Sequence, residues 1–146
     1  ILQTVGINPG TKPGTSLIDI ANGEDDPDRL IFSEYHAKGA ATGAFMIRKG
    51  QWKFVYYVSM QPQLFNLLDD PDELNDLGTA VEYAEIRNRM EADLRTICNP
   101  EEIDSAAKRD QIEIVNANGG IDAVIAKGSF GATPPPGVSV EYVSET

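Results

Sequence analysis

SEYHAKGAATGAFMIRKGQWKFVYYVSMQPQLFNLLDDPDELNDL, residues Ser33 to Leu77, decides the fold. Its apolar and aromatic residues come in short runs broken by turn formers. The run over 31–35 suits a first strand. Residues 39–43 are a Gly/Ala-rich break, and 44–48 suit a second strand. Lys49-Gly50-Gln51 has the length and the glycine of a hairpin loop. The run from Trp52 to Val58 holds Trp, Phe, two Tyr and two Val and is the best strand in the chain. Residues 63–67 make a fourth strand. Asp69-Asp70-Pro71-Asp72 then forces a turn, because proline fixes φ and Asp side chains bond nearby backbone N–H groups. Strands joined by such short links favour antiparallel pairing.

Downstream, the period changes. Thr79-x-x-Glu82 is a capping-box candidate. After it, Tyr83, Ile86, Met90, Leu94 and Ile97 recur at spacings of three and four, one apolar stripe for laying a helix on the sheet. Asn99-Pro100 ends that helix and opens another, with Pro at the first position and Glu101 and Glu102 in the first turn. The second helix is expected over 101–116. Its apolar residues, Ile103, Ala106, Ala107, Ile112, Ile114 and Val115, are less orderly, which implies partial burial. Asn118-Gly119-Gly120 stops it. Residues 121–126 read as a short apolar turn. Gly128-Ser129-Phe130-Gly131 and Pro134-Pro135-Pro136 read as extended chain. Residues 138–143 alternate well enough for a strand added to an edge, the alternative being a disordered tail. Upstream, 6–14 is loop, 17–21 at most one helical turn, and 22–28 a polar acidic linker.

The expected architecture is therefore α+β. A small four-stranded antiparallel sheet carries a long helix packed on it, followed by a second helix and an extended C-terminal tail. At 146 residues one domain with a modest core is expected.

Composition excludes several functions. With 12 basic and 23 acidic residues the net charge is −11, which repels phosphate backbones and argues against nucleic acid as a partner. There is no run of about 18 apolar residues, so no membrane span is expected, and no signal peptide is visible. A single cysteine, Cys98, makes no internal disulfide and fits a cytoplasmic protein. The acidic cluster Asp69, Asp70, Asp72, Glu73 and Asp76 lacks the EF-hand spacing, and the Gly-rich piece near Phe130 lacks a phosphate loop's Gly-Lys-Ser/Thr ending.

Three pieces of the central stretch carry a family resemblance: Phe32-Ser33-Glu34-Tyr35-His36; the hairpin from Met46 to Phe54; and Gln63-Leu64-Phe65-Asn66-Leu67 followed by Asp70-Pro71-Asp72-Glu73-Leu74-Asn75-Asp76-Leu77. In this order and spacing they resemble the C-terminal region of the sulfatases, nearest to the choline-sulfatase and phosphonate-monoester-hydrolase branch of the alkaline phosphatase superfamily. Asn66 and Asp76 depart slightly from the family's "LFDLxxDPxExxNL". The resemblance runs over residues 12–77 and more loosely to Phe130.

What the resemblance implies is a parent enzyme. The family's C/S-x-P-S/T-R motif, source of the formylglycine nucleophile, does not occur in this sequence, nor do the family's upstream Asp pair and later Asp-Asn/His pair that hold the metal. Cys98 lies in Arg95-Thr96-Ile97-Cys98-Asn99-Pro100, which does not match. A start at Ile1 rather than Met agrees with a piece of a longer chain. Residues 1–30 would then link to a missing upstream catalytic domain of the same chain, 31–118 would form the C-terminal α+β subdomain, and 119–146 the tail. No cofactor is expected in this piece. The parent would use formylglycine and a divalent cation, calcium or manganese, to hydrolyse sulfuric esters or related phosphate or phosphonate esters. Tails of this kind in the family commonly reach a neighbouring subunit, so a homo-oligomer is expected. The competing class is a non-catalytic oligomerisation or assembly module.

The candidate site residues are Glu34, His36 and Lys38. Alternation places the three on one face at a strand end, where they would bind substrate beside the parent's pocket. The plainer alternative is a solvated edge strand with a satisfied histidine. One histidine cannot build a catalytic zinc site, which takes three protein ligands. Arg48, Lys49 and Lys53 could contact an anion, but charges beside a hairpin more often keep a sheet edge soluble. Trp52, Phe54, Tyr56 and Tyr57 are better core residues than a stacking platform.

Overall fold

The computed structural model describes residues 3–7, 10, 14–24, 26–36, 40–130 and 142–143. Four strands, β1 (Leu30–Tyr35), β2 (Ala44–Lys49), β3 (Trp52–Tyr57) and β4 (Gln63–Asn66), form one antiparallel sheet in the order β1-β2-β3-β4. β2 and β3 close a two-residue hairpin in which Lys49 pairs with Trp52. Gly50 takes the first loop position at φ 56°, a left-handed conformation glycine adopts without strain.

Strand alternation sorts the sheet into two faces. Across β1 to β4, Phe32, Ile47, Phe54 and Leu64 stand in register on one face. Phe45, Ile47, Phe54 and Leu64 are fully buried there, under Met90 and Leu94 of helix α2 (Ala84–Ile97). These are the residues of the apolar stripe in the helix and of the alternating set in the strands. The opposite face leaves Ile31 and Tyr35 exposed on the edge strand β1, while Val55 and Phe65 are covered.

The turn after β4 is fastened by its own side chains. The Asp70 carboxylate accepts from the amides of Leu74 and Asn75. Asp76 accepts from the amides of Leu64 and Gly78, tying the loop to the edge of β4. Lys53 pairs with Glu73 across the same region, and Lys49 with Asp93 of α2 at 3.1 Å.

Three expectations are corrected. Thr79 does not cap the helix: a 3-10 turn, Val81–Tyr83, precedes α2, and neither start has a side-chain cap bond. Arg87 instead donates to the carbonyl of Gly78 at 2.9 Å, so the entry to α2 is held from inside the helix. The expected apolar turn after Gly120 is a helix, α4 (Ile121–Lys127), bounded by Gly120 and Gly128 at φ 88° and 76°. The segment expected as one turn near Leu17 is a short helix, α1 (Leu17–Asn22), whose N-cap Ser16 hydroxyl accepts from the Ile18 amide.

Helix α3 (Pro100–Ala117) starts as expected, with Pro100 at its first position and the Asn99 side chain accepting from the Glu102 amide. Of the expected tail strand, 138–141 lie outside the described residues. Tyr142–Val143 (β6) pairs antiparallel with Ser129–Phe130 (β5) as a separate two-stranded sheet. No described helix is long and apolar enough to cross a membrane.

Candidate functional site

β1 brings Glu34 and His36 together at the open end of the sheet. Glu34 pairs with Phe45, so its side chain leaves the strand on the helix-covered face. Its carboxylate lies 3.8 Å from His36 Nε2, too far for a hydrogen bond. Lys38 lies outside the described residues.

His36 is fixed by what surrounds its ring. The ring meets Phe45 edge-on at 5.2 Å between centroids. It also lies against Gly43: a Cβ there would stand 2.6 Å from the imidazole Cε1. Only glycine lets the chain pass so near. The His36 carbonyl accepts from the Gln111 side-chain amide at 3.3 Å.

Behind the turn stands a charge that strand reasoning did not find. Asp104 of α3 is only 5% exposed. It accepts from the Gly43 amide at 2.7 Å and from the Thr42 hydroxyl at 3.3 Å, and pairs with Lys108 at 2.8 Å. Lys108, followed by the Gly43 amide, holds the carboxyl below the usual carboxylate range, against the opposing effect of burial. A small cavity of about 10 Å³ opens at this junction, lined by His36, Thr42, Gly43, Asp104, Lys108 and Gln111 among others. Pro100, Asp104, Ala107 and Gln111 recur at helical spacing, which places Asp104 on the inner stripe of α3. That spacing was the available signal, masked by the rule that a charged residue with an i,i+4 partner sits on the surface.

A second cluster joins α2, α3 and β3. Arg95 grips Glu101 with two bonds of 2.9 Å, bonds Glu91 at 2.9 Å and stacks over Tyr56. The Tyr56 hydroxyl donates to Glu101 at 2.7 Å. The Arg95 fork and then the Tyr56 hydroxyl hold Glu101 down to about 2. Burial, then the bond to Glu101, pushes the Tyr56 hydroxyl up. Cys98 lies at the same junction, and burial followed by the charge of Glu34 pushes its thiol up, away from a reactive thiolate.

The arrangement can bind and orient a polar group: Glu34 is a partly exposed acceptor beside a ring held by packing. Among the described residues, no group of three or more His, Cys, Asp or Glu side chains converges to hold a metal ion. Cys98 is followed by Asn99-Pro100 and lies in no C/S-x-P-S/T-R motif, so the described residues do not fit a divalent cation beside a formylglycine.

No family model matches the chain. Arylsulfatase K from Rattus norvegicus is 38% identical over 121 residues, which are 75% of this chain and 21% of that enzyme. Choline-sulfatase from Rhizobium meliloti is 38% identical over 72 residues, 49% of this chain and 14% of that protein. Among solved structures, a 2-O GAG sulfatase superposes with a TM-score of 0.52 at 24% identity, over 75% of this chain and 24% of that one. The chain thus spans about a fifth of rat arylsulfatase K. The structural likeness is one of fold.

Proposed function

Because the chain is a partial homologue of the sulfatases, matching part of larger enzymes, we propose that it forms the C-terminal α+β subdomain of a sulfuric ester hydrolase. In this reading residues 1–30 connect to an upstream catalytic domain, 31–118 form the subdomain and 119–146 form a tail. The nucleophile and the cation belong to the upstream part. Glu34, His36 and Lys38 supply one wall of the substrate pocket, and the piece is inactive alone. Related phosphate or phosphonate esters are the neighbouring substrate class.

The observation that carries this reading is the 38% identity sustained over 121 residues, which extends past the sheet into the helices. The test is the reading frame that contains this chain. Upstream, it is expected to encode a C/S-x-P-S/T-R motif. The full product is expected to hydrolyse an aryl sulfate such as 4-nitrophenyl sulfate, and the 146-residue chain is not. A frame without that motif, or a folded full-length product inert toward sulfate, phosphate and phosphonate esters, sinks it.

A second reading is a non-catalytic assembly module. It is favoured by Ile112, Ile114, Ile121 and Ile125, each at least 60% exposed on α3 and α4. Light scattering of the purified chain separates the two: a dimer lost on changing these isoleucines to serine supports assembly, and a monomer at all concentrations rejects it.

A further inference from the structure

The two edges of the sheet are finished differently. β4 is the short edge, 4 residues long, and the acidic turn takes up its outward backbone groups. The Leu64 amide donates to Asp76, and the Leu64 carbonyl accepts from the Leu77 amide at 2.8 Å. The Asn66 carbonyl accepts from the amides of Asp69 and Asp70. β1, at the other end of the strand order, pairs with β2.

The ladder decides which groups of β1 face outward. Lys49 and Trp52 close the two-residue hairpin, so they exchange both backbone bonds, as does every second pair along β2 and β3. Arg48, Met46 and Ala44 therefore turn the other way and bond Ile31, Ser33 and Tyr35. The N–H and C=O of Leu30, Phe32 and Glu34 are left pointing away from the sheet. The same parity turns Leu64 and Asn66 outward on β4, as their bonds to the turn show. On β1, nothing among the described residues bonds the outward groups.

Nor does β1 carry the devices that keep edges apart. It reads LIFSEY, 6 residues without lysine or proline, and its pairing with β2 has no bulge. A row of unbonded backbone groups on such a strand is a template for another strand.

We propose that β1 pairs antiparallel with β1 of a second copy of this chain, about a two-fold axis at Phe32, so that two four-stranded sheets become one. The occupant follows from the strand's own parity. In a two-fold pairing, outward residues must meet outward residues. Centring on Phe32 sets Leu30 against Glu34, Phe32 against its counterpart and Glu34 against Leu30, so every outward N–H and C=O meets one across the axis. Any other register carries Leu30 or Glu34 past the end of the facing strand. No like charges then stand directly opposite each other along the strand. Phe32 lies half-buried on the helix-covered face, packed against the core. Phe32 beside Phe32 continues the row Phe32, Ile47, Phe54 and Leu64 into the second copy. This surface is separate from the isoleucines of α3 and α4, and it does not depend on which ester the parent cleaves.

The test is light scattering of the chain over a concentration series, joined to amide hydrogen exchange. The mass is expected to rise to that of a dimer, with the amides of Leu30, Phe32 and Glu34 protected in the dimer and exchanging freely on dilution. Those of Ile31, Ser33 and Tyr35 should stay protected throughout. Glu34→Pro is expected to abolish the dimer, because it deletes an outward N–H that bonds nothing within one copy, a position where edge strands tolerate proline. Leu30→Pro, at the first residue of the strand, is the second variant in case Glu34→Pro unfolds. Ile114→Ser is expected to leave the dimer intact. A monomer at every soluble concentration overturns the proposal, as does a dimer that survives in a folded proline variant or that Ile114→Ser abolishes. So does a longer product of the same reading frame that is monomeric with these three amides protected, since a strand of its own would then hold the edge.

Discussion

Helix α2 and the far half of α3 carry similar numbers of large apolar residues and meet opposite fates. On α2, Met90 and Leu94 are four residues apart, fall on one side and are buried against Phe45, Ile47, Phe54 and Leu64. On α3, Ile112 and Ile114 are two residues apart, about 200° around the helix, so the sheet and its neighbouring helices cannot cover both from one side. They stand 60% and 63% exposed. Angular placement, not hydrophobic content, decides which helix belongs to the body of the domain.

The largest effect should come from emptying the body. Leu94→Ala removes a fully buried side chain from a cluster that already fills its space. A loss of about 3 kcal/mol is expected, within the range for buried Leu-to-Ala changes. The readout is the urea midpoint at constant slope. A loss below about 1 kcal/mol would mean that α2 is not seated on the sheet as described.

Next comes the place where α3 is anchored by a buried carboxylate. Asp104→Ala leaves the buried Gly43 amide without its acceptor and frees Lys108, which is half exposed and can rehydrate. The cost is expected to be about 2 kcal/mol, mostly from the stranded amide. Hydrogen exchange at Gly43 should quicken in the variant while amides of β3 keep their protection. Uniform loss across the sheet would show instead that α3 and the body unfold as one unit, which would dissolve the contrast between them.

The Arg95 clamp sits on the seam between the two regions and should respond to acid. The folded-state pKa of Glu101 is depressed from 4.5 to about 2. A depressed acid contributes stability above its unfolded pKa and loses that contribution as pH falls through the folded value. Stability should therefore decline between about pH 4.5 and 2, and Asp104, also held low, should add to the same decline. Glu101 and Arg95 are 44% and 39% exposed, so water screens their pairing. Glu101→Gln should cost no more than about 1 kcal/mol at neutral pH and flatten part of the acid slope. An unchanged slope would assign the acid response elsewhere.

The sheet was legible because strand period, hairpin glycine and turn aspartates all agree along residues 31–77, and α2 because its stripe is periodic. The start of α2 was misread at Thr79, since a capping box is a local signal and the bonds that hold this entry come from Arg87, later in the helix. Helix α4 was missed because seven residues of mixed apolar pattern do not separate a turn from a helix. Glu34 and His36 were legible as a pair from alternation. Asp104, Thr42 and Gln111 were not, because their meeting with His36 depends on how α3 lies against residues 36 and 42–43, a relation of more than sixty residues in sequence for the Thr42–Asp104 pair. The function came from resemblance: nothing in the geometry of the described residues names a sulfate ester.

The smallest expected effect is the sharpest test of the contrast. Ile114→Ser removes a large apolar side chain, as Leu94→Ala does, from a helix of comparable length. In α3 that side chain already meets solvent in the folded chain, so unfolding exposes little more of it and the transfer term nearly cancels. The change should fall within about 0.5 kcal/mol, as for surface substitutions generally. Helix propensity works slightly in the same direction for both residues, since Ile and Ser rank closely. A loss as large as that of Leu94→Ala would require a partner covering Ile114 in solution. In that event the loss would grow with protein concentration, because a bound partner stabilises by mass action. Measuring the variant at two concentrations tenfold apart therefore distinguishes an exposed arm from a covered one.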